Sequence, residues 1–475
     1  MQQKFLTNLI LLVLLNLVVK PVSMFAIDAG VQNKVGAAEY GLYYSLLSFS
    51  YLFNILLDLG INNFTTKNVA QHPNLMAKYI GKIAGLRLLL LVLYGTITFL
   101  IAYLIGYNAS VYPMLFVLIF QQFFISMIAY FRSYLSGMLL FKLDALLSVL
   151  DRLILIFLCG YLLYFSTGVD FKIQHFVWIQ FSCYVFSFLV GLILVLVNIG
   201  KIRVAINKSI SFIIIRDSLP YAILIILMAL FTRVDSVMLE RMLDDGATQV
   251  GYYAQGFRLI DAFFVVAMLF SNLLLPIFSR MIKLKEDVVD LFKMASKLLV
   301  WGALGLAIFC FWNAKELLQL IYTNDIEHSA PPFQFLAFTF VSMCVVLIYG
   351  TYLTALGAMK QLNSIAAIGL VVNVLLNVIL IPKMGVMGVA TSTLVTQTCV
   401  AFSQMVVVNR ILKIRFELKS SISFVVYVVV LVGGMYLLNE QPLKTVYDLI
   451  LVALSVVLFK VIDLKSFVQI LKTKE

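Results

Sequence analysis

Residues 37–44 read Ala-Ala-Glu-Tyr-Gly-Leu-Tyr-Tyr, and residues 247–254 read Ala-Thr-Gln-Val-Gly-Tyr-Tyr-Ala. Ala37, Gly41 and Tyr43 return at one fixed offset as Ala247, Gly251 and Tyr253, and Asn62 returns as Asn272. Each stretch opens an apolar segment of the ~20 residues that a helix needs to cross a bilayer. Outward from these anchors, further apolar segments lie near 5–28, 40–64, 83–106, 111–131, 145–166, 173–199 and 217–239. They continue near 250–279, 294–314, 332–357, 362–382, 385–408, 420–438 and 443–463. The pattern predicts an all-α polytopic membrane protein of fourteen transmembrane helices, in which the anchors start the second and eighth. A shift of six spans preserves orientation. The repeat therefore predicts two parallel six-helix lobes, 1–211 and 212–419, related by an axis along the membrane normal, with a site between them near midplane. Residues 420–475 would add two further helices and a tail.

Charge agrees with this reading. Charged residues are only 12% of the chain, about half the usual globular share, so little of it can face water. The net charge of +12 invites a nucleic-acid reading, and its distribution decides against one. With a cytoplasmic N-terminus, the outer connections hold only Lys34, Lys172, Arg233, Arg241, Lys315, Lys383 and Lys444 of the 35 basic residues. Lys20, Arg152 and Arg258 lie within spans, and the rest face inward, where they meet anionic lipid. An even number of spans puts both termini in the cytoplasm.

Connections are short, the longest near 233–249, 280–293 and 313–331. None can fold as an extramembrane catalytic domain, which needs upward of ~50 residues. Cys159, Cys183, Cys310, Cys344 and Cys399 all fall in apolar spans without metal-ligand spacing, and His72, His175 and His328 stand in connections. Packing is the reading for the cysteines and solvation for the histidines; no catalytic residue, metal or cofactor is expected. Residues 1–28 lack a persuasive cleavage site and read as a retained first helix.

The stretch GAAEYGLYYSLLSFSYLFNILLDLGI, from Gly36, follows that first helix. Further on come FTRVDSVMLERML, from Phe231, and VGYYAQGFRLIDAFFVVAMLFSNLLLPIFSR, ending at Arg280. These stretches resemble the first helices and the seventh and eighth helices of the bacterial polysaccharide-biosynthesis, or O-antigen, flippases (the Wzx type). That family belongs to the multidrug/oligosaccharidyl-lipid/polysaccharide exporter superfamily, which includes the MATE transporters. The resemblance implies a transporter, not an enzyme, that moves an isoprenoid-pyrophosphate-linked oligosaccharide across the bacterial cytoplasmic membrane by alternating access. Its expected partners are that substrate, membrane lipids and a coupling ion, proton or sodium, with the protein a monomer. On the same architecture stand a multidrug/cation antiporter, which would favour an acidic pocket, and a flippase for the peptidoglycan lipid precursor. A membrane-embedded glycan polymerase or acyltransferase would need a large outer loop or an intramembrane histidine.

Ionisable groups within spans cost ~2.5–3.5 kcal/mol each on insertion scales, which makes them functional candidates. Lys20 sits mid-span with Asn16 and Ser23 on its face, followed by Pro21, which predicts a kink. A cavity-facing role competes with a structural pair and with snorkelling. Asp28 is too far along the helix to pair with it. In the second span Tyr40, Tyr44, Tyr51, Asn54, Asp58 and Asn62 follow helical spacing and predict one polar, aromatic stripe that faces the glycan. Arg258 and Asp261 are one turn apart and map onto Ser48 and Tyr51, so they and Asn272 are expected on the matching face. Asp151 and Arg152 are adjacent and are expected to need separate partners. Arg87, Arg132 and Arg216 lie near inner ends and read as headgroup contacts. Lys20, Arg152 and Arg258 are the candidate cavity cations, and Asp261, Asp58 and Asp28 the candidate coupling carboxylates. Arg233 and Asp235 are either a gate or a solvated helix end.

Overall fold

The structure, a computed structural model, describes residues 15–59, 61–62, 65, 73–138, 140–166, 170–199, 226–227, 230, 233–414, 418–459 and 461. Side chains 73–79, 199, 272 and 418–421 are outside that description, so the glycan-facing role expected of Asn272 is too. So are most of the seventh span and the expected lobe boundary at 211/212. Every regular element among the described residues is helical. Nine of those helices are long and apolar enough to cross a membrane, and Ile422–Leu438 is a shorter apolar one.

Hydrophobic patterning located most of them. The segment expected at 173–199 is the Ile173–Ile199 helix, and those expected at 362–382 and 385–408 are Met359–Met384 and Val386–Leu412. The chain divides into two compact units, Met1–Ala254 and Gln255–Glu475, and the Gly246–Leu284 helix runs across the division.

The order of helices recurs at the offset of the anchors. Pro73–Ile105, Tyr112–Gly137, Leu150–Tyr164 and Ile173–Ile199 are followed in the same spacing by Val289–Trp312, Ile326–Leu356, Met359–Met384 and Val386–Leu412. The break before each anchor recurs as well. Gly36 leaves the helix at φ 84°, a conformation that only glycine adopts at no steric cost, and its counterpart Gly246 opens the Gly246–Leu284 helix.

Local chemistry sets the irregular points. Pro21 removes one backbone donor, and the turn that follows, Ser23–Asp28, is a π-helix. The second span is not the continuous helix that its spacing predicts. The Ala29–Leu52 helix ends at Phe53 and Asn54, a single turn follows at Ile55–Asp58, and Leu59 is left-handed at φ 45°. The polar side chains of 54–62 thus leave the register of Tyr40 and Tyr44.

The first unit packs around Leu46, Phe49, Tyr94, Leu115, Tyr130 and Phe176, all buried. Apolar burial gains nothing over lipid here, so close packing and interhelical hydrogen bonds hold the helices together. Tyr94 OH donates to Ser50 O at 2.8 Å and Gln121 Nε2 to Val177 O at 2.8 Å. In the second unit Asn377 bonds Ser392, and Ser342 and Thr398 meet at 3.0 Å.

Helices Leu418–Leu438 and Lys444–Leu458 are pinned to Val289–Trp312 and the turn after it. Tyr427 OH donates to Trp301 O at 3.0 Å and Lys297 Nζ to Phe459 O at 3.0 Å. Asn313 Nδ2 donates to Asp448 Oδ2 at 2.8 Å, and Thr445 Oγ1 donates to Asn313 Oδ1 at 3.0 Å. Asp448 is fully buried, so removing it leaves one of the two Asn313 Nδ2 hydrogens without its acceptor, the other staying on Phe309 O. Asp448→Ala is expected to lower stability by ~1–3 kcal/mol, seen as a lower melting midpoint in detergent, and Asp448→Asn by less. Equal midpoints for the wild type and the alanine variant would show that this bond does not hold the terminal helices.

Candidate functional site

The first unit gathers charge beside Lys20. Asn16 Nδ2 donates to Ser148 Oγ at 3.0 Å, which docks the first helix at the junction between Phe141–Leu147 and Leu150–Tyr164. One turn on, Lys20 is uncovered by protein and lies within electrostatic reach of Arg132, Arg152 and Asp151. Arg132 Nε bonds Asp144 Oδ1 at 2.7 Å, and Arg152 Nε approaches Asp151 Oδ2 at 3.4 Å. The Arg132 and Arg152 side chains are each about a third exposed, 33% and 30%, so these pairs are partly solvated and hold their cations loosely.

Around Arg152 the site becomes aromatic. Its Nη2 faces Tyr184 OH at 3.5 Å, and Asp28 and Tyr43 lie within its electrostatic reach. Tyr43 OH in turn donates to Gln180 Oε1 at 3.0 Å. The π-turn that follows Lys20 thus ends at Asp28, on the same cluster. An array of three cations, partial carboxylate pairing and phenols can receive an anion by exchanging carboxylate for ligand oxygen, because charge-assisted bonds to either are alike in kind.

Arg152 and Asp151 meet each other, against the expectation of separate partners. Arg152 sits in the first turn of its helix after Val149, whose backbone is non-helical, and its long side chain folds back to its neighbour. Arg132, expected as a headgroup contact, instead bonds Asp144 on the next helix.

The tyrosine stripe divides. Tyr40 is buried and packs on Tyr43 and Tyr44, with ring centroids at 5.6 and 6.5 Å. Tyr51 is exposed, and Tyr44 is half-buried. Arg233 joins these two: its Nη1 donates to Tyr44 OH at 3.2 Å, and its guanidinium lies 5.3 Å from the Tyr51 ring centroid, a cation–π contact. Asp235, two residues on, is buried. Asn54 has turned to Gln122, to which it donates.

Asp58 and Asn62 belong to another centre. Arg87 Nη2 donates to Asp58 Oδ1 and to Asn62 Oδ1, each at 2.7 Å, and Nη1 donates to Ser126 O at 3.0 Å and Oγ at 2.7 Å. The guanidinium also stacks 4.7 Å from the Tyr130 centroid. At 1% exposure Arg87 reaches no headgroup, which corrects the snorkelling expectation. The break after Leu52 is the physical reason, since it brings Asp58 to Arg87.

In the second unit Arg258 is buried, bonds Tyr322 and lies 5.7 Å from that ring. Asp261 is half-buried on the next turn. All five cysteines are free, and the described residues hold no cluster of His, Cys, Asp and Glu that would bind a metal.

The family model described as "Polysaccharide biosynthesis protein" matches residues 5–282. A search of curated proteins finds no match. Among solved structures, the lipid II flippase MurJ in an inward closed conformation superposes with a TM-score of 0.71 at 14% identity, covering 97% of this chain and 100% of that one. An inward-facing multidrug-resistance MATE family transporter of the MOP superfamily gives 0.65 at 14% identity, covering 82% and 94%. The Vibrio cholerae MATE transporter VcmN in its bent form gives 0.57 at 14% identity, covering 86% and 97%. At such identities these similarities establish the fold alone, the one those solved transporters share.

Proposed function

From the premise that the chain belongs to the polysaccharide biosynthesis protein family, we propose that it is a flippase for an isoprenoid-pyrophosphate-linked oligosaccharide. It acts in the bacterial cytoplasmic membrane as a monomer with both termini cytoplasmic. Residues 1–211 and 212–419 form two lobes that alternate access, with 420–475 as an added helical pair.

The observation that carries this reading is the Lys20, Arg132 and Arg152 cluster on an otherwise apolar helical bundle, partly uncovered and so open to a ligand. A pyrophosphate needs cationic donors at membrane depth, and intramembrane charge is retained where substrate passes. The partial pairing with Asp144 and Asp151 keeps the empty site neutral enough to fold, and the ligand displaces it. In the second unit Arg258 is a further candidate cation for an anionic ligand, while Tyr44, Tyr51 and Arg233 offer stacking faces and donors to the glycan. A multidrug antiporter would call for an excess of acid where these bases stand. Coupling to a proton or sodium gradient completes the cycle, and Asp28, adjoining Arg152, is the best placed of the three expected carboxylates.

Transport of a head-group-labelled lipid-linked glycan in proteoliposomes, with and without an imposed ion gradient, tests the reading. Lys20→Ala and Arg152→Ala are each expected to slow it ~10-fold or more at near-normal abundance, as losing one hydrogen bond to a charged group does. Lys20→Arg retains part of the rate, since the charge survives with a different donor geometry. Wild-type rates in both alanine variants would refute the anion-binding role.

A further inference from the structure

Glu240 stands just beyond the seventh span, on the side assigned to the outer face, in surroundings unusual for a carboxylate. Its side chain is 9% exposed. Two hydroxyls reach it: Ser45 of the Ala29–Leu52 helix and Tyr107, in the connection after Pro73–Ile105. Glu240 Oε2, Ser45 Oγ and Tyr107 OH are all buried, and in the geometry seen none of the three completes a hydrogen bond among the described residues. Native proteins rarely leave three such atoms together unfilled.

Charge compensation is weak. Arg241, the cation on the same segment, stands 3.9 Å from Glu240 Oε1. Its Nη2 is committed to Ile105 O and Gly106 O at 3.1 Å each, and its guanidinium stacks 4.6 Å from the Tyr107 centroid. Among the described residues, the titratable or charged groups that face Glu240 are Arg241 and Tyr107, and the Ala29–Leu52 helix contributes the Ser45 hydroxyl. Asp244 and Asp245, in the turn that follows, are exposed.

What adjoins this carboxyl gives it a consequence. The turn after Glu240 is so tight that a Cβ on Gly246 would lie 2.3 Å from Glu240 O. The next residues cross the Ala29–Leu52 helix at backbone contact. A Cβ on Gly41 would lie 1.7 Å from Ala247 O, and one on Gly251 2.2 Å from Ala37 O. Gln32 Nε2 also donates to Gly251 O at 2.8 Å. Ala37, Gly41 and Ser45 lie on one helical face, so the crossing and the carboxyl are parts of one contact.

We propose that Glu240, with Ser45 and Tyr107, is a proton-binding site that latches residues 240–251 onto the Ala29–Leu52 helix. A proton from the aqueous phase adds to the carboxylate, and the neutral acid then donates to one hydroxyl and accepts from the other, with no charge left in the buried contact. Burial pushes the carboxyl up from the ordinary glutamate range, against the smaller downward pulls of Arg241, Tyr107 and Ser45. A raised value means that the latched state binds the proton more tightly than the released one. Latching is then undiminished below the ordinary glutamate range and weakens as pH rises from there to the raised value. The inference goes beyond the flippase reading and is independent of what the cargo is.

The test uses the full-length protein in nanodiscs without substrate. Infrared difference spectra should contain a protonated-carboxyl band that titrates above the ordinary glutamate range, is lost in Glu240→Gln and shifts in Ser45→Ala and Tyr107→Phe. Amide exchange across 240–254, corrected for its intrinsic pH dependence, should rise ~10-fold between about pH 5 and about pH 8 in the wild type. It should stay low throughout in Glu240→Gln, whose amide stands in for the neutral acid. Absence of a band that depends on Glu240, or a wild-type exchange profile in Glu240→Gln, would overturn the proposal. A protein that shows both signatures but moves no lipid-linked glycan would instead sink the transport reading and leave this one standing.

Discussion

Arg87→Ala is expected to cost ~3–5 kcal/mol and to remove most of the folded protein, the usual consequence of breaking a buried ion pair from one side. The Arg87 side chain is 1% exposed and Asp58 20%, so little of the lost contact can be recovered from outside the bundle. Alanine deletes four hydrogen bonds, to Asp58, Asn62 and both Ser126 oxygens, together with the stacking on Tyr130. It also leaves the Asp58 carboxylate inside the bundle without its counter-charge. Arg87→Lys keeps the charge but not the fork that spans Asp58 and Ser126, so it is expected to lose less and still to melt early. The informative variant is Arg87→Met with Asp58→Leu, which takes out both charges and should regain much of the loss. Melting midpoints of the three proteins in one detergent decide the matter. If Arg87→Ala melts like the wild type, the centre carries no stability, and Asp58 returns as a free carboxylate for coupling.

This centre also marks where the sequence stops being readable. Helical spacing groups residues only while the helix lasts. It placed Tyr40 and Tyr44 on one helix correctly and then carried the same register across Asn54, where the backbone turns and Leu59 adopts a left-handed conformation. The polar positions were identified and their partners were not, because Asp58–Arg87 and Arg132–Asp144 are tertiary pairs between spans whose facing sides no linear pattern gives. Arg132 near a span end looked like a snorkelling residue for that reason. Glu240 was hidden differently: in sequence it is an acidic residue in an outer connection, and only the fold buries it. By contrast, hydropathy placed Ile173–Ile199 to the residue, since in lipid every backbone donor must be satisfied within its own helix. The proline after Lys20 likewise announced a break, which the π-turn Ser23–Asp28 occupies.

Gly41→Ala and Gly251→Ala are each expected to disable the protein, and the double variant to do no more than either one. The reason lies in the repeat. Ala37 and Gly41 meet Ala247 and Gly251 reciprocally, each glycine against the carbonyl of the other segment's alanine. Two copies of one small-residue motif thus face each other, the arrangement that lets helices in lipid approach to backbone contact. A methyl group at either glycine meets backbone, which cannot rotate away, so the segments must part. Overpacking of this kind costs ~1–3 kcal/mol. On the reading of the chain as a flippase, that is enough to shift a closure equilibrium ~5- to ~150-fold and to slow transport accordingly. Once one methyl has parted the segments, the second has nothing left to strike, so the two effects should not add. Transport rates and amide exchange across 37–45 and 246–254 supply the cycle. Losses that simply add in the double variant would mean that the two glycines act at separate contacts, and the reciprocal crossing would have to be abandoned as the source of their effect.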